Sequence, residues 1–339
     1  MGKKICLVRL SAIGDVCHAA AMVTRIRQQW PDAELTWVIG KIEYQLVRLI
    51  PDVRFVVFDK AEKQQAVKKL RDTLRNDHFD ALLMMQVALR ANLAARVIRA
   101  KRRIGFDWAR SKELHWWFTN ERIAPREHAH VIDGFMGFAD KLGVPAAPLS
   151  WDIPLESTAR EWAAAQAAKL GPFVVISPAA SKAARNWSAA GYADIASRLA
   201  DKGYQVVVCG GPAKLDRDLA DAIKQQCQHS LYDLVGATSL HQMAALLSHA
   251  RLVIAPDTGP AHIAAAMGTP VVGLYAHSNP RRTGPVNNLQ HVISVYDTAI
   301  VRQKGKPWQA LPWGTRAKGD DLMQGIEAET VWQKVSQLV

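Results

Sequence analysis

The segment ICLVRLSAIGDVCH, residues 5–18, decides the fold of the first half of the chain, because it joins a short apolar run directly to a segment of helical period. Three more apolar runs follow before residue 90: LTWVIG at 35–40, RFVVF at 54–58 and DALLMM at 80–85. Short apolar strands that alternate with helices are typical of a parallel sheet wrapped by helices. The pattern therefore predicts a doubly wound α/β domain.

The same pattern returns in the second half after an interruption. Residues 143–155, GVPAAPLSWDIPL, contain three prolines and a glycine, which break regular elements. Apolar runs then follow as FVVIS (173–177), YQVVVCGG (204–211), LYDLVG (231–236), RLVIAPD (251–257) and PVVGLYA (270–276). We therefore predict a first domain over 1–150, a second over 151–320, and ligand binding in a cleft between the carboxyl ends of both sheets.

The positive charge of the chain is concentrated in the first domain. Residues 1–150 hold 25 Lys and Arg against 16 Asp and Glu, net +9, and the remainder holds 18 against 15, net +3. Within residues 90–126, ten Lys or Arg stand against three acidic residues, with Trp108, Trp116 and Trp117 interleaved. The charge predicts an anionic partner, and the segment fits a nucleic-acid surface, a glycolipid surface or a solvated face.

The cysteines and the N-terminus narrow the class of protein. Cys6, Cys17, Cys209 and Cys227 lie too far apart for a zinc knuckle or a paired redox motif, so reduced and mostly buried thiols are expected. The first residues lack the long apolar run of a signal peptide, and no apolar stretch of membrane-spanning length occurs. We expect a cytoplasmic protein with peripheral membrane contact at most.

The first candidate site is Asp15 in SAIGDVCH, residues 11–18. Gly14 is expected to permit a tight turn after the strand, and Asp15 falls in the first turn of the following helix. An aspartate there either does chemistry at the sheet edge or merely complements the helix dipole, and its position alone leaves both readings open.

The second candidate site is the strand–turn–helix segment RLVIAPDTGPAHIAAAMGTPVVGLY, residues 251–275. Asp257 or Thr258 is expected to cap the helix and Pro260 to occupy its first position, which leaves backbone N–H groups facing an anion. This predicts a diphosphate site. His262, one turn into the helix, is either a phosphate donor or a satisfied, partly buried histidine.

The third candidate site is FVVISPAASKAARNW, residues 173–187. Ser181, Lys182, Arg185 and Asn186 follow the strand end, and their donors suit a pyrophosphate, with Arg185 able to bind it bidentately. A solvated basic loop is the alternative.

Other motifs argue against several classes of enzyme. Asp216 and Asp218 form a D-x-D, but it lies in a predicted helix, where positions i and i+2 face different directions, so we read no metal site from it. The chain has no H-E-x-x-H, no G-x-G-x-x-G after the first strand and no P-loop motif. A dinucleotide dehydrogenase and a P-loop NTPase are therefore not expected.

Four motifs together resemble the ADP-heptose:lipopolysaccharide heptosyltransferases of glycosyltransferase family 9, most of all heptosyltransferase I. They are SAIGDVCH, ARNW, PDTGPAH and GLYAHSNPRRTGP, and the resemblance extends over nearly the whole chain. The resemblance implies a GT-B fold, with two Rossmann-like domains facing a central cleft, and a metal-independent inverting mechanism without a cofactor. It implies transfer of L-glycero-D-manno-heptose from ADP-L-glycero-β-D-manno-heptose to a Kdo residue of lipid A. It also implies peripheral contact with the cytoplasmic face of the inner membrane and no nucleic-acid partner.

Carried over position by position, the resemblance implies Asp15 as the catalytic base. The acceptor-binding residues that it implies are Ser11, Gly14, Arg110 and Lys112. The donor-binding residues that it implies are Ser181, Lys182, Arg185, Thr238, Asp257, Thr258, Gly259, Pro260 and His262.

Three further expectations follow from the resemblance. Lys214 stands where the family often has a Glu for the ribose hydroxyls, and Asp216 is the candidate substitute. The stretches YAHSNPRRTGP and KPWQALPW look most like the subgroup that adds the first heptose to a single phosphorylated Kdo. The C-terminal stretch 321–339 is expected to pack back on the first domain. Two alternatives remain open: a GT-B transferase for another nucleotide sugar, and a basic nucleic-acid-binding module.

Overall fold

The computed structural model describes residues 2–339, which divide into two compact units. The first unit ends at Pro154 and the second extends over Leu155–Val339. The division falls inside the proline-rich segment 143–155 that interrupts the sequence pattern.

The first unit contains a six-stranded sheet in which every strand pair is parallel. In chain order the strands are β1 Lys4–Arg9, β2 Glu34–Gly40, β3 Val53–Phe58, β4 Phe79–Met84, β5 Ala100–Gly105 and β6 Glu121–Arg122. The helices are α1 Ile13–Gln29, α2 Lys41–Val47, α3 Gln64–Thr73, α4 Leu89–Ala95 and α5 Val131–Leu142, with 3₁₀ turns at Lys60–Glu62 and His115–Phe118. The strand order is β3-β2-β1-β4-β5-β6, so the order reverses between β1 and β4.

The second unit repeats this architecture. Its strands are β7 Phe173–Ile176, β8 Gln205–Val208, β9 Tyr232–Asp233, β10 Leu252–Pro256, β11 Val271–Tyr275 and β12 Ile293–Ser294. Its helices are α6 Ser157–Leu170, α7 Ala189–Asp201, α8 Lys214–Gln226, α9 Leu240–His249, α10 Gly259–Ala266, α11 Pro280–Thr283, α12 Tyr296–Lys304 and α13 Ala328–Val335. Four 3₁₀ turns complete it, at Ala183–Arg185, Val286–His291, Trp308–Ala310 and Leu322–Gly325. The order β12-β11-β10-β7-β8-β9 is the order of the first sheet, with the reversal between β7 and β10. The predicted α/β fold class is confirmed.

Burial explains why the strands read as unbroken apolar runs. Every residue of β7, β10 and β11 is buried, as expected when helices cover both faces of a parallel sheet. Each fully buried Val, Leu or Ile contributes roughly 1.5–3 kcal/mol to folding. Cys6, Cys17 and Cys209 are buried and unbridged, and burial raises the pKa of Cys17 to about 12 and that of Cys209 to about 11. These thiols therefore stay protonated, as the wide spacing of the cysteines predicts.

Strand β5 is missing from the sequence-based prediction, because the three consecutive cations Lys101, Arg102 and Arg103 conceal it. Arg102 forms a two-point pair with Glu121, with N–O distances of 2.7 and 2.9 Å. Arg103 donates to the carbonyls of residues 95, 98 and 118, each at 2.9 Å. Part of the basic segment 90–126 is therefore used to build the fold, which leaves fewer cations for a nucleic-acid surface.

The C-terminal helix α13 belongs to the second unit. Val331 and Val335 are fully buried in the hydrophobic core of that unit, and Arg198 of α7 pairs with Glu329 at 2.7 Å. The expectation that residues 321–339 pack on the first domain is wrong, since the apolar face of α13 completes the core beside α7. Within residues 2–339, no helix combines the length and the apolar character needed to cross a membrane.

The segment that follows α5 is held along α1. The Trp151 indole donates to the Cys17 carbonyl at 2.9 Å, and the Asp152 backbone N–H donates to the Thr24 hydroxyl at 3.0 Å. Arg27 pairs with Asp152 at 2.7 Å. These contacts stabilise α1, the helix whose first turn carries Asp15.

Candidate active site

The strand order places Asp15 where doubly wound sheets bind ligands. In such sheets the ligand lies outside the carboxyl ends of the strands at which the order reverses. In the first unit these strands are β1 and β4. Asp15 follows β1, and Gln86 follows β4.

The Asp15 carboxylate is held on one side only. Its Oδ2 accepts hydrogen bonds from the Arg9 guanidinium and, at 3.4 Å, from the Ala12 backbone N–H. The side chain keeps 32% of its surface exposed, and none of the residues 2–339 donates a hydrogen bond to Oδ1. One carboxylate oxygen is therefore open at the sheet edge.

The partner of Asp15 is the nearly buried Arg9, whose side chain is 12% exposed. Its Nη1 donates to the Met85 carbonyl at 2.5 Å, and its guanidinium lies 5.4 Å from the centre of the Phe135 ring. Burial lowers the pKa of Arg9, and the Asp15 carboxylate opposes that shift. A buried cation of this kind needs a paired anion, so Arg9 and Asp15 form one unit. The only sequence signal for it is an arginine inside the apolar run ICLVRL.

Gln86 fixes the loop between β1 and α1. Its Oε1 accepts from the Leu10 backbone N–H at 2.7 Å, and its Nε2 donates to the Ser11 hydroxyl at 3.5 Å. Gly14 is already a residue of α1 and is not among the glycines with positive φ, so the tight turn expected there is wrong. Sequence reasoning missed Gln86 because it follows a different strand.

The two predicted basic acceptor residues lie after β5. Arg110 is half-buried and fixed by Asp107 at 3.1 Å and by the Arg126 carbonyl at 3.0 Å. Lys112 is exposed. In the described part of the chain, no hydrogen bond or ion pair joins either of them to Asp15, so their role toward an acceptor stays a prediction.

Asp257 of the second unit, which follows β10, is surrounded by donors. Its Oδ2 accepts from the hydroxyls of Ser278 at 2.6 Å and Thr283 at 3.4 Å. Its Oδ1 accepts from the Tyr275 hydroxyl at 3.5 Å and lies 3.7 Å from Nε2 of His262. Both oxygens are therefore occupied within the unit.

The charge of Asp257 is stabilised in place. Burial by itself would raise the pKa of this carboxyl, but His262, Ser278 and the positive charge of Arg185 together hold the pKa below its ordinary value. Arg185 ends the 3₁₀ turn after β7, and its field reaches both Asp257 and Tyr275. The structure thus brings Arg185 to the same sheet edge as the Asp257 turn.

Helix α10 begins beside this carboxylate. Thr258, one of the two predicted capping residues, is its N-cap, although the Thr258 side chain makes no capping bond, and Pro260 lies in the first turn one position later than expected. The Asp257 carboxylate accepts hydrogen bonds from the Ser278, Thr283 and Tyr275 hydroxyls instead of capping the helix. The N–H groups of Gly259 and Ala261 lie in the first turn, where no helical carbonyl reaches them, and they are available to an anion.

Buried polar atoms without partners gather along the same sheet edge. Ser177 Oγ, Thr258 Oγ1 and Asn279 Nδ2 have no hydrogen-bond partner among residues 2–339, and their residues are 1, 9 and 3% exposed. They follow β7, β10 and β11, which are neighbours in the sheet. Buried polar groups are nearly always bonded, so these atoms indicate room for a polar ligand. Ser177 and Asn279 were not predicted, although each follows an apolar strand closely.

The remaining predicted donor residues differ in their surroundings. Ser181 and Lys182 are exposed, and Asn186 Oδ1 accepts from the Ala180 backbone N–H at 2.7 Å. The Thr238 hydroxyl lies 3.9 Å from the Cys209 sulfur. Their contacts with a donor stay predictions.

The region of Lys214 and Asp216 lies on α8. The Lys214 ammonium pairs with Asp218 at 2.6 Å, whereas Asp216 Oδ1 accepts from the Gly211 backbone N–H at 2.8 Å. The two aspartates therefore face different partners, as their spacing on a helix predicts. No group of three His, Cys, Asp or Glu side chains that could hold a metal ion occurs between residues 2 and 339.

Comparison with known proteins decides the family. The model of glycosyltransferase family 9 (heptosyltransferase) matches residues 67–311. The chain belongs to glycosyltransferase family 9. It is also 41% identical, over 99% of its own length and 97% of the relative's, to the lipopolysaccharide core heptosyltransferase OpsX of Haemophilus influenzae. The resemblance inferred from the sequence motifs is confirmed, and the chain is a glycosyltransferase.

Solved structures of family 9 proteins share the fold. The family 9 glycosyl transferase of Veillonella parvula superimposes with a TM-score of 0.82 at 22% identity, covering 99% of this chain and 97% of that one. The E. coli heptosyltransferase WaaC, solved with ADP, gives a TM-score of 0.76 at 20% identity, covering 99% and 100%. The predicted GT-B fold is confirmed.

Proposed function

We propose that this family 9 enzyme transfers L-glycero-D-manno-heptose from ADP-L-glycero-β-D-manno-heptose to a Kdo residue of lipid A during assembly of the lipopolysaccharide core. The observation that carries the proposal is the half-exposed Asp15 carboxylate, which has one open oxygen at the reversal point of the first sheet. The 41% identity to a lipopolysaccharide core heptosyltransferase supports the reaction. WaaC, which was solved with ADP, supports the donor.

In the proposed mechanism Asp15 acts as a general base. Its Oδ1 accepts the proton of an acceptor hydroxyl while that oxygen attacks the anomeric carbon of the heptose from the face opposite the diphosphate. The bond from the anomeric carbon to the diphosphate oxygen breaks, ADP leaves, and the anomeric centre is inverted. General-base catalysis of this kind typically contributes about 10²- to 10⁴-fold in rate.

Arg9 is a positioning residue in this mechanism. Its guanidinium holds Oδ2 of Asp15 and is itself fixed by the Met85 carbonyl, so Oδ1 is the oxygen left to face a substrate. A base whose geometry is fixed before the substrate arrives loses no time or free energy in reorienting.

The second unit is proposed to hold the donor without a metal ion or another cofactor. The N–H groups of Gly259 and Ala261 and the Arg185 guanidinium would stabilise the charge that develops on the departing diphosphate. The unpartnered Ser177 and Thr258 hydroxyls supply further hydrogen-bonding capacity at this edge. Asp257 and His262 would shape the turn that presents these groups.

The acceptor is proposed to be a membrane lipid with phosphorylated Kdo. Residues 1–150, which make up nearly all of the first unit, carry a net charge of +9 and suit an acceptor that carries phosphates and carboxylates. The enzyme would work at the cytoplasmic face of the inner membrane by peripheral contact.

An assay with defined substrates tests the proposal. The protein is incubated with ADP-heptose and either Kdo–lipid A or its phospho-Kdo form, and ADP release and the mass of the lipid product are measured. We expect heptose transfer, undiminished by a chelator, with the phospho-Kdo acceptor preferred. Parallel reactions with UDP- and GDP-sugars, and a titration with duplex DNA at physiological salt, are expected to give no turnover and no tight binding. Transfer from another nucleotide sugar, with none from ADP-heptose, would overturn the donor assignment.

A further inference from the structure

A ridge of large apolar side chains is exposed on the first unit. Trp108, Trp116 and Trp117 expose 63, 38 and 67% of their surface, and Leu89 and Leu93 of α4 expose 42 and 44%. We call these five residues the tryptophan ridge. Large apolar groups gathered at a surface mark an interaction site more often than scattered ones do.

The members of the tryptophan ridge are contiguous. The ring centres of Trp108 and Trp116 are 5.9 Å apart, and those of Trp116 and Trp117 are 5.4 Å apart. Helix α4 contacts the 3₁₀ turn that carries Trp116 and Trp117. Leu89 and Leu93 are four positions apart on α4 and therefore share one face.

Buried hydrogen bonds fix the base of the ridge. Nδ1 of the His115 ring donates a 2.8 Å hydrogen bond to Oδ1 of the Asn92 side chain, and both residues are fully buried. The Leu89 backbone N–H donates to Glu113 at 2.6 Å. Burial, reinforced by Arg122, lowers the pKa of His115 to about 4, so this link is neutral at physiological pH. These hydrogen bonds hold the base of the ridge in a defined conformation.

Exposed cations lie close to the ridge residues along the chain. Arg90, Arg96 and Lys112 are exposed, and none of them forms an ion pair within residues 2–339. Arg96 and Trp117 also line an open groove of about 490 Å³, together with Arg103, Phe118, Thr119 and Asn120. Arg96 lies three positions after Leu93, which places it beside the apolar face of α4.

We propose that the tryptophan ridge docks on an anionic lipid bilayer, with the tryptophans and leucines at the headgroup boundary and Arg90, Arg96 and Lys112 against lipid phosphates. Tryptophan prefers the membrane–water interface, and each cation near an anionic surface adds to the attraction. Binding of single-stranded nucleic acid rests on stacking and cations, which leaves the two exposed leucines unexplained. The choice of a bilayer over a protein partner rests on the proposed function, in which the acceptor is a membrane lipid.

Vesicle binding by the full-length protein tests the proposal without any sugar substrate. Sedimentation with vesicles of phosphatidylglycerol and phosphatidylcholine is expected to capture the wild type, with a blue shift of tryptophan emission, and vesicles of phosphatidylcholine alone to bind less. The double variant Leu93→Ser, Trp117→Ser is expected to lower the partition coefficient about tenfold or more. Arg96→Gln is expected to lower it about fivefold on anionic vesicles only.

The matched control is Leu289→Ser with Val301→Ser, which removes two apolar residues of the second unit that are 38 and 49% exposed. It is expected to bind vesicles as the wild type does, and thermal unfolding checks that every variant folds. Equal losses in both double variants, or no wild-type binding to anionic vesicles at low salt, would overturn the proposal. The proposal would also be overturned if the ridge were needed for a concentration-dependent dimer or for tight DNA binding while the protein did not bind vesicles.

Turnover separates this inference from the proposed function. The ridge variant is expected to keep wild-type turnover on a water-soluble Kdo acceptor and to lose it on an acceptor embedded in vesicles. If the wild type binds vesicles but transfers no heptose to either acceptor, the proposed function fails while the docking surface stands.

Discussion

Asp15 and Asp257 each lie at the point of strand-order reversal in their own unit, and they have opposite surroundings. Each follows one of the two strands between which the order of its sheet reverses. Asp15 receives its hydrogen bonds on Oδ2 and keeps 32% of its side chain exposed, whereas Asp257 receives donors on both oxygens and keeps 17% exposed.

This difference separates a carboxylate that is able to take a proton from one that builds a turn. A general base needs an oxygen that a substrate hydroxyl reaches. Asp15 has such an oxygen, whereas both oxygens of Asp257 are occupied by neighbouring side chains, namely His262, Tyr275, Ser278 and Thr283. We therefore propose that the same residue type, at the same kind of sheet edge, acts as a base in one unit and organises an anion site in the other.

The largest expected effect is on turnover, at Asp15. Asp15→Asn keeps the shape of the side chain but removes the base, so kcat for heptose transfer should fall by about 10²- to 10⁴-fold. Steady-state ADP release measures it. Thermal unfolding serves as the control, and a kcat within a factor of about three of the wild type would remove Asp15 from the mechanism.

A large loss of stability is expected at Arg9. Arg9→Met leaves the Asp15 charge without its cation and is expected to cost about 3 kcal/mol, the lower end of the range for breaking a buried pair, because the Asp15 side chain keeps 32% of its surface exposed. Urea denaturation measures the change. The control is Arg281→Met, whose pair with Asp297 is about half exposed and whose loss should cost less than about 1 kcal/mol. Equal stabilities of the two variants would mean that Arg9 is not a buried partner.

A moderate effect is expected at Asp257. Asp257→Asn disturbs bonds to Ser278, Thr283 and Tyr275 and should destabilise the protein by about 1–3 kcal/mol. Because the turn that presents α10 is loosened, ADP should bind more weakly, and calorimetry measures both stability and affinity. A variant with normal ADP affinity would show that this carboxylate does not organise the donor site.

The acid dependence of stability sharpens the same contrast. The folded-state pKa of Asp257 is held below its ordinary value, so its charge contributes stability above the unfolded-state pKa, and that contribution is lost as pH falls through the lowered folded-state pKa. The wild type should therefore lose more stability than Asp257→Asn between about pH 5 and pH 2. Denaturation midpoints over this range test it, and parallel curves for the two proteins would contradict it.

The smallest effect is expected at Lys214. Its ammonium is 86% exposed and pairs with Asp218 one turn along α8, an interaction worth about 0–1 kcal/mol. Lys214→Ala should leave both stability and ADP affinity nearly unchanged. A clear loss of ADP affinity would instead give Lys214 a place at the ribose.

Apolar continuity made most of the fold predictable from the sequence. The strands buried on both faces, such as β7 and β10, read as unbroken runs of Val, Ile and Leu. Strand β5 was not predicted, because its cations are paired with Glu121 and with backbone carbonyls, and only the tertiary structure brings these partners to the strand. Helix α13 was placed on the wrong unit, since its apolar face does not reveal which core it completes.

The parts of the candidate site that lie within one sequence segment were predictable. The parts that form where several distant segments meet were not. Asp15 and the Asp257 turn each lie in a single strand–loop–helix segment, so the sequence pattern placed both at a sheet edge, while the role of Asp15 as base came only from the family resemblance. Gln86 and Ser177 were not predicted, because the strands that bring them to the candidate site are far apart in sequence. Arg9 lies within the first segment, and its place inside an apolar run is a sequence signal for burial, but its pairing with Asp15 is visible only in the structure.

The most direct test of the account is to measure kcat for heptose transfer and the dissociation constant of ADP for Asp15→Asn and Asp257→Asn side by side. The account predicts a crossed pattern, in which Asp15→Asn binds ADP as the wild type does and barely turns over, while Asp257→Asn loses ADP affinity. Near-normal turnover by Asp15→Asn, or the same pattern in both variants, would contradict the division between a catalytic and an organising carboxylate.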